Sequence, residues 1–355
     1  MKLRVAGASL GLLFFFVSTA GAQDAPKIDD AWQKKVVEAI GERLGRGYVF
    51  PEKATEMAEV IEAQYANGNY RGLDDGNAFA ERLTRDLQAV THDKHLRVRF
   101  SPEPRSVAAD QPPTPEEQEA QLARARWQNY GFEKVERLPG NVGYLDLRGF
   151  LPTQFASETA IAAMTFLGNS DAIIIDLRFN GGGSPAMVAL ITSYFFDAEP
   201  VHLNSLYYRP TDSTQQWWTL PYVPGKRYPD TPLYVLTSNR TFSAAEEFSY
   251  NLRSRERATL VGETTGGGAH PGGTEWIDEH FQIWVPRGRA INPITGTNWE
   301  GTGVEPHIAV PAEQALQKAH VDALQKLAAK QTDPRLKTRL EEILQEVQGS
   351  SGGPR

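Results

Sequence analysis

Between residues 142 and 311, short runs of aliphatic residues alternate with helical stretches, and this alternation restricts the chain more than anything else in it. AIIIDL (172–177) is continuously apolar, the pattern of a strand covered on both faces. VGYLDL (142–147), the stretch 201–208, LYVL (233–236) and ATLV (258–261) are further strands. Helical patterns at 157–167, at 185–196 and from residue 243 separate them. Such βα alternation implies an α/β core. Beyond Gly262 the chain turns β-rich and glycine-studded up to Ile308.

Ahead of this core, apolar residues recur at helical spacing in three stretches within 28–92. Trp32, Val36, Val37, Ile40 and Leu44 form the first stripe, Met57, Val60 and Ile61 the second, and Phe79, Leu83, Leu87 and Val90 the third. A bundle of about 65 residues lies near the lower limit for independent folding, so it should lean on its neighbour. LRVRF (96–100) alternates as a half-buried strand does. A Pro- and Ser-rich loop and a charged linker helix fill the rest of 93–140, and helices are expected over 312–348. The final residues, 349–355, have the composition of a disordered tail.

The first 22 residues have the three parts of a secretory leader. Lys2 and Arg4 supply positive charge, residues 5–17 an apolar run, and Ala20 and Ala22 a small-residue cleavage site. A protein exported to the periplasm or secreted, with no stable membrane span after cleavage, is the expectation. The chain has no cysteine, which excludes thiolate nucleophiles, disulfides and Cys-ligated metal. A net charge of −7 argues against nucleic acid as a partner.

The chemistry centres on residues 233–250, LYVLTSNRTFSAAEEFSY, where Ser243 stands between a strand and a helix. A serine there can be a nucleophile whose oxyanion hole is the unpaired N–H groups of the helix start. It can equally be an N-cap, with Glu246 at the capping-box position. Glu246 and Glu247 are expected to face solvent or to cap. No lysine occurs between Lys226 and Lys318, so a Ser-Lys dyad using a lysine downstream of Ser243 is not available in this segment, and the histidines are the other candidates for its base. His95 stands at the start of a strand and His270 in the glycine-rich GGGAHPGG (266–273), while His307 reads as a surface residue. His92, Asp93 and His95 are too few donors to imply a metal, and no cofactor is expected. Glu300, in a glycine-flanked turn after Trp299, is the attractive acid, and the loop NGGG (180–183) could offer N–H groups to an oxyanion. The aromatics Trp217, Trp218, Tyr222 and Tyr228 could pack a lid or the core, or line an apolar pocket.

Three motifs together resemble the tail-specific (C-terminal processing) serine peptidases, in the branch shared by tricorn protease and the interphotoreceptor retinoid-binding protein modules. They are IIDLRFNGGG (174–183), SNRTFSAAE (238–246), and GETTG (262–266) with the later GTGVEP (301–306), after which His307 replaces the usual Asp. The resemblance implies a crotonase/ClpP-like spiral of ββα units over 141–311, preceded by the small three-helix domain. The span 101–140 is too short for the PDZ domain that often intervenes. It further implies Ser243 as nucleophile, His95 as base, Glu300 as acid, and the N–H groups of Ala244 and of Gly182 or Gly183 as oxyanion donors, with His270 the secondary candidate base. Where the lysine-dyad branch has its lysine, this chain has glycine in TGGG (265–268), and Lys94 stands where tricorn has a bridging serine. The expected substrate is a peptide or protein. The same scaffold also admits a non-proteolytic binder of an apolar, retinoid- or lipid-like ligand.

Overall fold

The computed structural model describes residues 26–105 and 114–349. The leader expected at 1–22, and all but the first residue of the tail expected at 349–355, lie outside the described residues.

Three helices open the chain: α1 (Asp30–Gly47), α2 (Pro51–Ala66) and α3 (Gly76–Thr91). The carboxylates of Asp29 and Asp75 cap α1 and α3 by accepting from Trp32 N–H at 2.7 Å and Ala78 N–H at 2.8 Å, and Pro51 starts α2 where its missing N–H costs nothing. Then come β1 (Arg97–Phe100), α4 (Pro115–Trp127), β2 (Phe132–Leu138), β3 (Val142–Leu147), α5 (Thr153–Phe166), β4 (Ala172–Asp176), α6 (Pro185–Ser193), β5 (His202–Tyr208), β6 (Ser213–Trp218) and β7 (Leu233–Thr237). The remainder is α7 (Ala244–Ser254), β8 (Thr259–Gly262), β9 (Gly272–Trp276), β10 (Phe281–Pro286), β11 (Gly288–Ile291), β12 (Ile308–Ala309), α8 (Ala315–Lys330) and α9 (Pro334–Gly349).

The central sheet has the order β12-β8-β7-β4-β3-β2, parallel throughout except for the antiparallel edge pair β2–β3. Alternation along β4 and β7 divides their side chains between two cores. Ile173, Ile175, Leu233 and Val235 pack with α5, α6 and α7, while Ile174, Tyr234 and Leu236 pack with α8 and α9. Burial on both faces explains why AIIID is apolar at every position but the last. That last residue, Asp176, is neutralised by Arg178 through a 2.6 Å contact and accepts from Tyr144 Oη at 2.8 Å. The ends of β4 and β7 lie side by side, so the loops after Asp176 and Thr237 meet at the carboxyl edge of the sheet, where α/β proteins place ligands.

A second sheet, β1-β10-β9, joins the two halves of the chain. Val98, Phe100, Phe281, Ile283 and Val285 on one face complete the core of the helical bundle. Phe281 is fully buried and meets Trp32, Phe79 and Phe100 ring to ring. Truncating such a ring to alanine costs about 3–5 kcal/mol, so the bundle depends strongly on a strand far along the chain. On the opposite face, Arg97, Arg99, Thr274, Gln282 and Trp284 border a cleft. The outer edge of β1 is closed by α3, since Thr84 Oγ1 accepts from Val98 N–H at 2.9 Å and Gln88 Nε2 donates to Leu96 O at 2.9 Å. A third sheet, β11-β5-β6, flanks the cleft on the other side.

Two stretches differ from the sequence reading. FEKVERL (132–138), expected within a loop and linker helix, is the edge strand β2, its charged alternation suiting a strand with one exposed face. The aromatic excursion begins with strand β6, paired antiparallel to β5.

Candidate active site

The cleft has a volume of about 740 Å³ and is bordered by Ser243, His95, Gly181, Gly183 and Ala244, among others. Ser243 follows the turn after β7 and directly precedes α7, with φ 57° and ψ −122°. That is a sparsely populated conformation for a residue with a side chain, worth about 1–3 kcal/mol of strain unless its surroundings impose it. They do impose it. Phe242 N–H donates to Asn180 O at 3.0 Å, and Ser243 N–H donates to Glu246 Oε2 at 2.8 Å. Gly182 presses against the turn so closely that a Cβ there would lie 2.7 Å from Ser243 Cβ.

Neither Glu246 nor Glu247 faces solvent, and Glu246 does cap, forming a capping box with Ser243. Both are buried within the first turn of α7. Glu246 is the staple of the site: Oε1 accepts from Thr265 Oγ1 at 2.5 Å and Gly267 N–H at 2.6 Å, and Oε2 from Gly268 N–H at 2.9 Å. Burial raises its pKa, and these hydrogen bonds pull it part of the way back. One carboxylate thus ties the nucleophile turn to the loop 265–268.

Of the expected oxyanion donors, Gly182 is already committed, its N–H donating to Asn180 Oδ1 at 2.9 Å. The N–H groups of Gly183 and Ala244 take part in no hydrogen bond among the described residues, and both residues border the cleft.

The αL conformation of His92 ends α3 and turns the chain back toward the cleft. Asp93 then fixes the turn into β1, its Oδ1 accepting from His95 N–H at 3.0 Å. The His95 ring packs at a tilt against Phe242 with centroids 4.5 Å apart, and its Nδ1 lies 3.9 Å from Asp93 Oδ1 without a hydrogen-bond partner. Burial pulls its pKa down to about 4, against the opposing charge of Asp93. His95 is therefore a neutral imidazole over most of the pH range, able to accept a proton. Gly268 makes this placement possible, because a Cβ there would come 2.3 Å from Phe242 Cζ and 2.7 Å from His95 Cε1. Lys94 turns away, its Nζ donating to Gly266 O at 2.5 Å.

Glu300 is not brought against His95. It stands with His270 and Asp93, one potential ligand atom of each lying within 4.8 Å of the others. His270 Nδ1 bonds Asp93 Oδ2 at 2.7 Å and is 3.5 Å from Glu300 Oε2, which accepts from Ala269 N–H at 2.5 Å. Burial alone would lower the His270 pKa, but the two carboxylates overcome it and leave it raised. Glu300 is pushed up by burial first and then by the charge of Asp93. Three donors of this kind could hold a cation, but as placed Nδ1 is spent on Asp93 and the group is a hydrogen-bonded ion pair. Asp93 is its hub, only 1% exposed and also accepting from Tyr48 Oη at 3.3 Å. Sequence reasoning assigned Asp93 no role of its own. Its signal was a carboxylate two residues before a candidate base, at a helix-to-strand junction.

None of Trp217, Trp218, Tyr222 and Tyr228 borders the cleft. Tyr228 is buried in the main core, Trp217 packs against it, and Trp218 stacks on His202.

A mainly parallel α/β sheet thus brings a strained serine and a buried histidine to the border of one cleft. Two family models go further. Residues 141–310 match peptidase family S41, and residues 26–128 match the N-terminal domain of that family described from eukaryotic IRBP. The chain belongs to peptidase family S41, and membership supports a hydrolase of peptide bonds. Among solved structures it is similar to mature CPAF, at 12% identity over 91% of this chain and 99% of that one with a TM-score of 0.57. It is also similar to a lipoprotein from Streptococcus agalactiae, at 12% identity over 83% of this chain and 96% of that one with a TM-score of 0.56. At such identities the likeness concerns the fold. Among the described residues no helix is long and apolar enough to cross a membrane.

Proposed function

We propose that this chain is an exported serine peptidase in which Ser243 is the nucleophile and His95 its general base. Ser243 Oγ attacks the carbonyl carbon of a peptide bond as its proton passes to His95. The tetrahedral oxyanion is held by Ala244 N–H and Gly183 N–H. His95 returns the proton to the leaving amine, and water then hydrolyses the acyl-enzyme by the same route. Asp93, 3.9 Å from His95 Nδ1, is the carboxylate that opposes the imidazolium charge. His270 acts one step back by holding Asp93, and Glu300 stands beside His270. The leader-like residues 1–22 support export.

One observation carries this reading. The serine is forced into a strained turn, bordered by two uncommitted N–H groups, in the same cleft as a histidine kept neutral with a buried, unpartnered Nδ1. A plain N-cap requires none of the three. The test is labelling with a fluorophosphonate probe, with the modified residue located by peptide mapping. Attachment to Ser243, abolished in Ser243→Ala together with peptide hydrolysis, is the expected result. An unlabelled Ser243, or a Ser243→Ala variant of near-normal activity, sinks the proposal.

A further inference from the structure

Glu247 has no part in the chemistry above, yet it borders the cleft. It lies four residues after Ser243, in the first turn of α7. It is 4% exposed, and its Oε1 has no hydrogen-bond partner. The amides of Asn204 and Asn251 are near enough to draw its pKa partly back down, but Nδ2 and Oδ1 of Asn204 and Nδ2 of Asn251 are likewise buried without partners. Native interiors rarely leave several polar atoms unpaired in one place, and where they do the group calls for an explanation, a functional role among them. Around Glu247 the cleft wall is made by Leu206, Tyr208, Ala244, Ala269 and Trp299, which are mostly apolar and buried. Glu247 thus gives a largely apolar pocket of the cleft a buried carboxyl group, in the same cleft as the nucleophile.

We propose that this pocket receives the substrate side chain on the acyl side of the scissile bond, and that Glu247 selects lysine or arginine there. The inference rests on Ser243 being the nucleophile. When a carbonyl is bound to Ser243 Oγ, its side chain projects along the first turn of α7. A long aliphatic stem covers the apolar walls and delivers its N–H donors to the acceptors Glu247 Oε1 and Asn204 Oδ1. A short or acidic side chain leaves them unpaired or adds like charge. The other charged groups bordering the cleft are Lys94, Arg97, Arg99 and Arg240, with His95. The four cations are exposed, so solvent screens them from the buried end of the pocket. Glu247 is the one carboxylate among the described residues that borders the cleft. Burial pushes its pKa up to about 7, so the preference for a cation strengthens as pH rises through that value.

Fluorogenic peptides differing only at that residue (Lys, Arg, Gln, Leu or Asp) test the proposal on the full chain between about pH 6 and 8.5, a range that spans the titration of a carboxyl raised by burial. Lys and Arg should exceed Leu in kcat/KM by roughly 10²-fold, and the ratio should climb with pH. Glu247→Gln should collapse the Lys-to-Leu ratio by a similar factor and flatten its pH dependence. Leu, Gln or Asp substrates outpacing Lys, or a ratio untouched by Glu247→Gln, overturns the inference while leaving the nucleophile intact. Should that variant fail to fold, the wild-type ranking and its pH dependence decide the matter alone. Absence of both cleavage and fluorophosphonate labelling at Ser243 removes the peptidase reading, and this inference with it.

Discussion

His95 and His270 both lie against Asp93, and their environments drive them in opposite directions. His95 is 3.9 Å from one carboxylate oxygen, and burial wins, lowering its pKa to about 4. His270 is 2.7 Å from the other oxygen and 3.5 Å from Glu300, and the charges win, raising its pKa. Little more than an ångström of approach, with one extra carboxylate, separates an imidazole whose neutral form is favoured from one whose charged form is favoured. Only the first borders the cleft. Desolvation and Coulomb attraction are of similar size in such sites, so geometry decides between them.

The difference between the two histidines is tested most severely by mutating each. His95→Ala should cost ~10⁴-fold or more in kcat, whereas His270→Ala should cost far less because it touches the reaction only through Asp93. Steady-state kinetics on both variants, with the reverse ranking observed, would reassign the base to His270. Gly268→Ala should cost about 10²-fold, since a new methyl group displaces His95 and Phe242 without removing any reactive atom. Unchanged kcat in the Gly268→Ala variant would mean that the position of His95 is immaterial.

Stability separates the pair further. The raised pKa of His270 makes its protonated form stabilising, fully so below the unfolded value of 6.5 and lost as pH rises through the folded value. Asp93→Asn should therefore lower the unfolding free energy by roughly 3 kcal/mol at about pH 5.5, the scale of breaking a buried pair, and by less at about pH 9. Urea denaturation at the two pH values measures this, and an equal loss at both would show that His270 is not held charged. The mildest effect is on the pH profile. With His95 depressed, kcat/KM for a substrate with an uncharged acyl-side residue should stay high below the ordinary histidine value of 6.5 and fall only toward about 4. A limb centred on 6.5 or above would contradict the buried, neutral base.

Much of the frame was legible because it is written in local patterns. The unbroken AIIID of β4, the helical stripes around Val36, Met57 and Leu83, and the strand-to-helix step at Ser243 are each settled by neighbours a few residues away. Edge strand β2 was not legible, since FEKVERL has the charge of a solvated segment and becomes a strand only because β3 lies beside it. Glu246 offered nothing beyond a capping position, although its carboxylate gathers a loop from residues 265–268.

Local sequence was enough to specify an α/β core behind a helical bundle and a serine at a helix start. Which carboxylate meets which histidine was decided by the tertiary structure. Asp93 and His270 stand 177 residues apart, and Glu300 and Glu247 owe their character to burial among residues from other elements. Periodicity records the surroundings of a residue within one element, whereas a pKa or an ion pair depends on distances between elements, which exist only once the chain has closed.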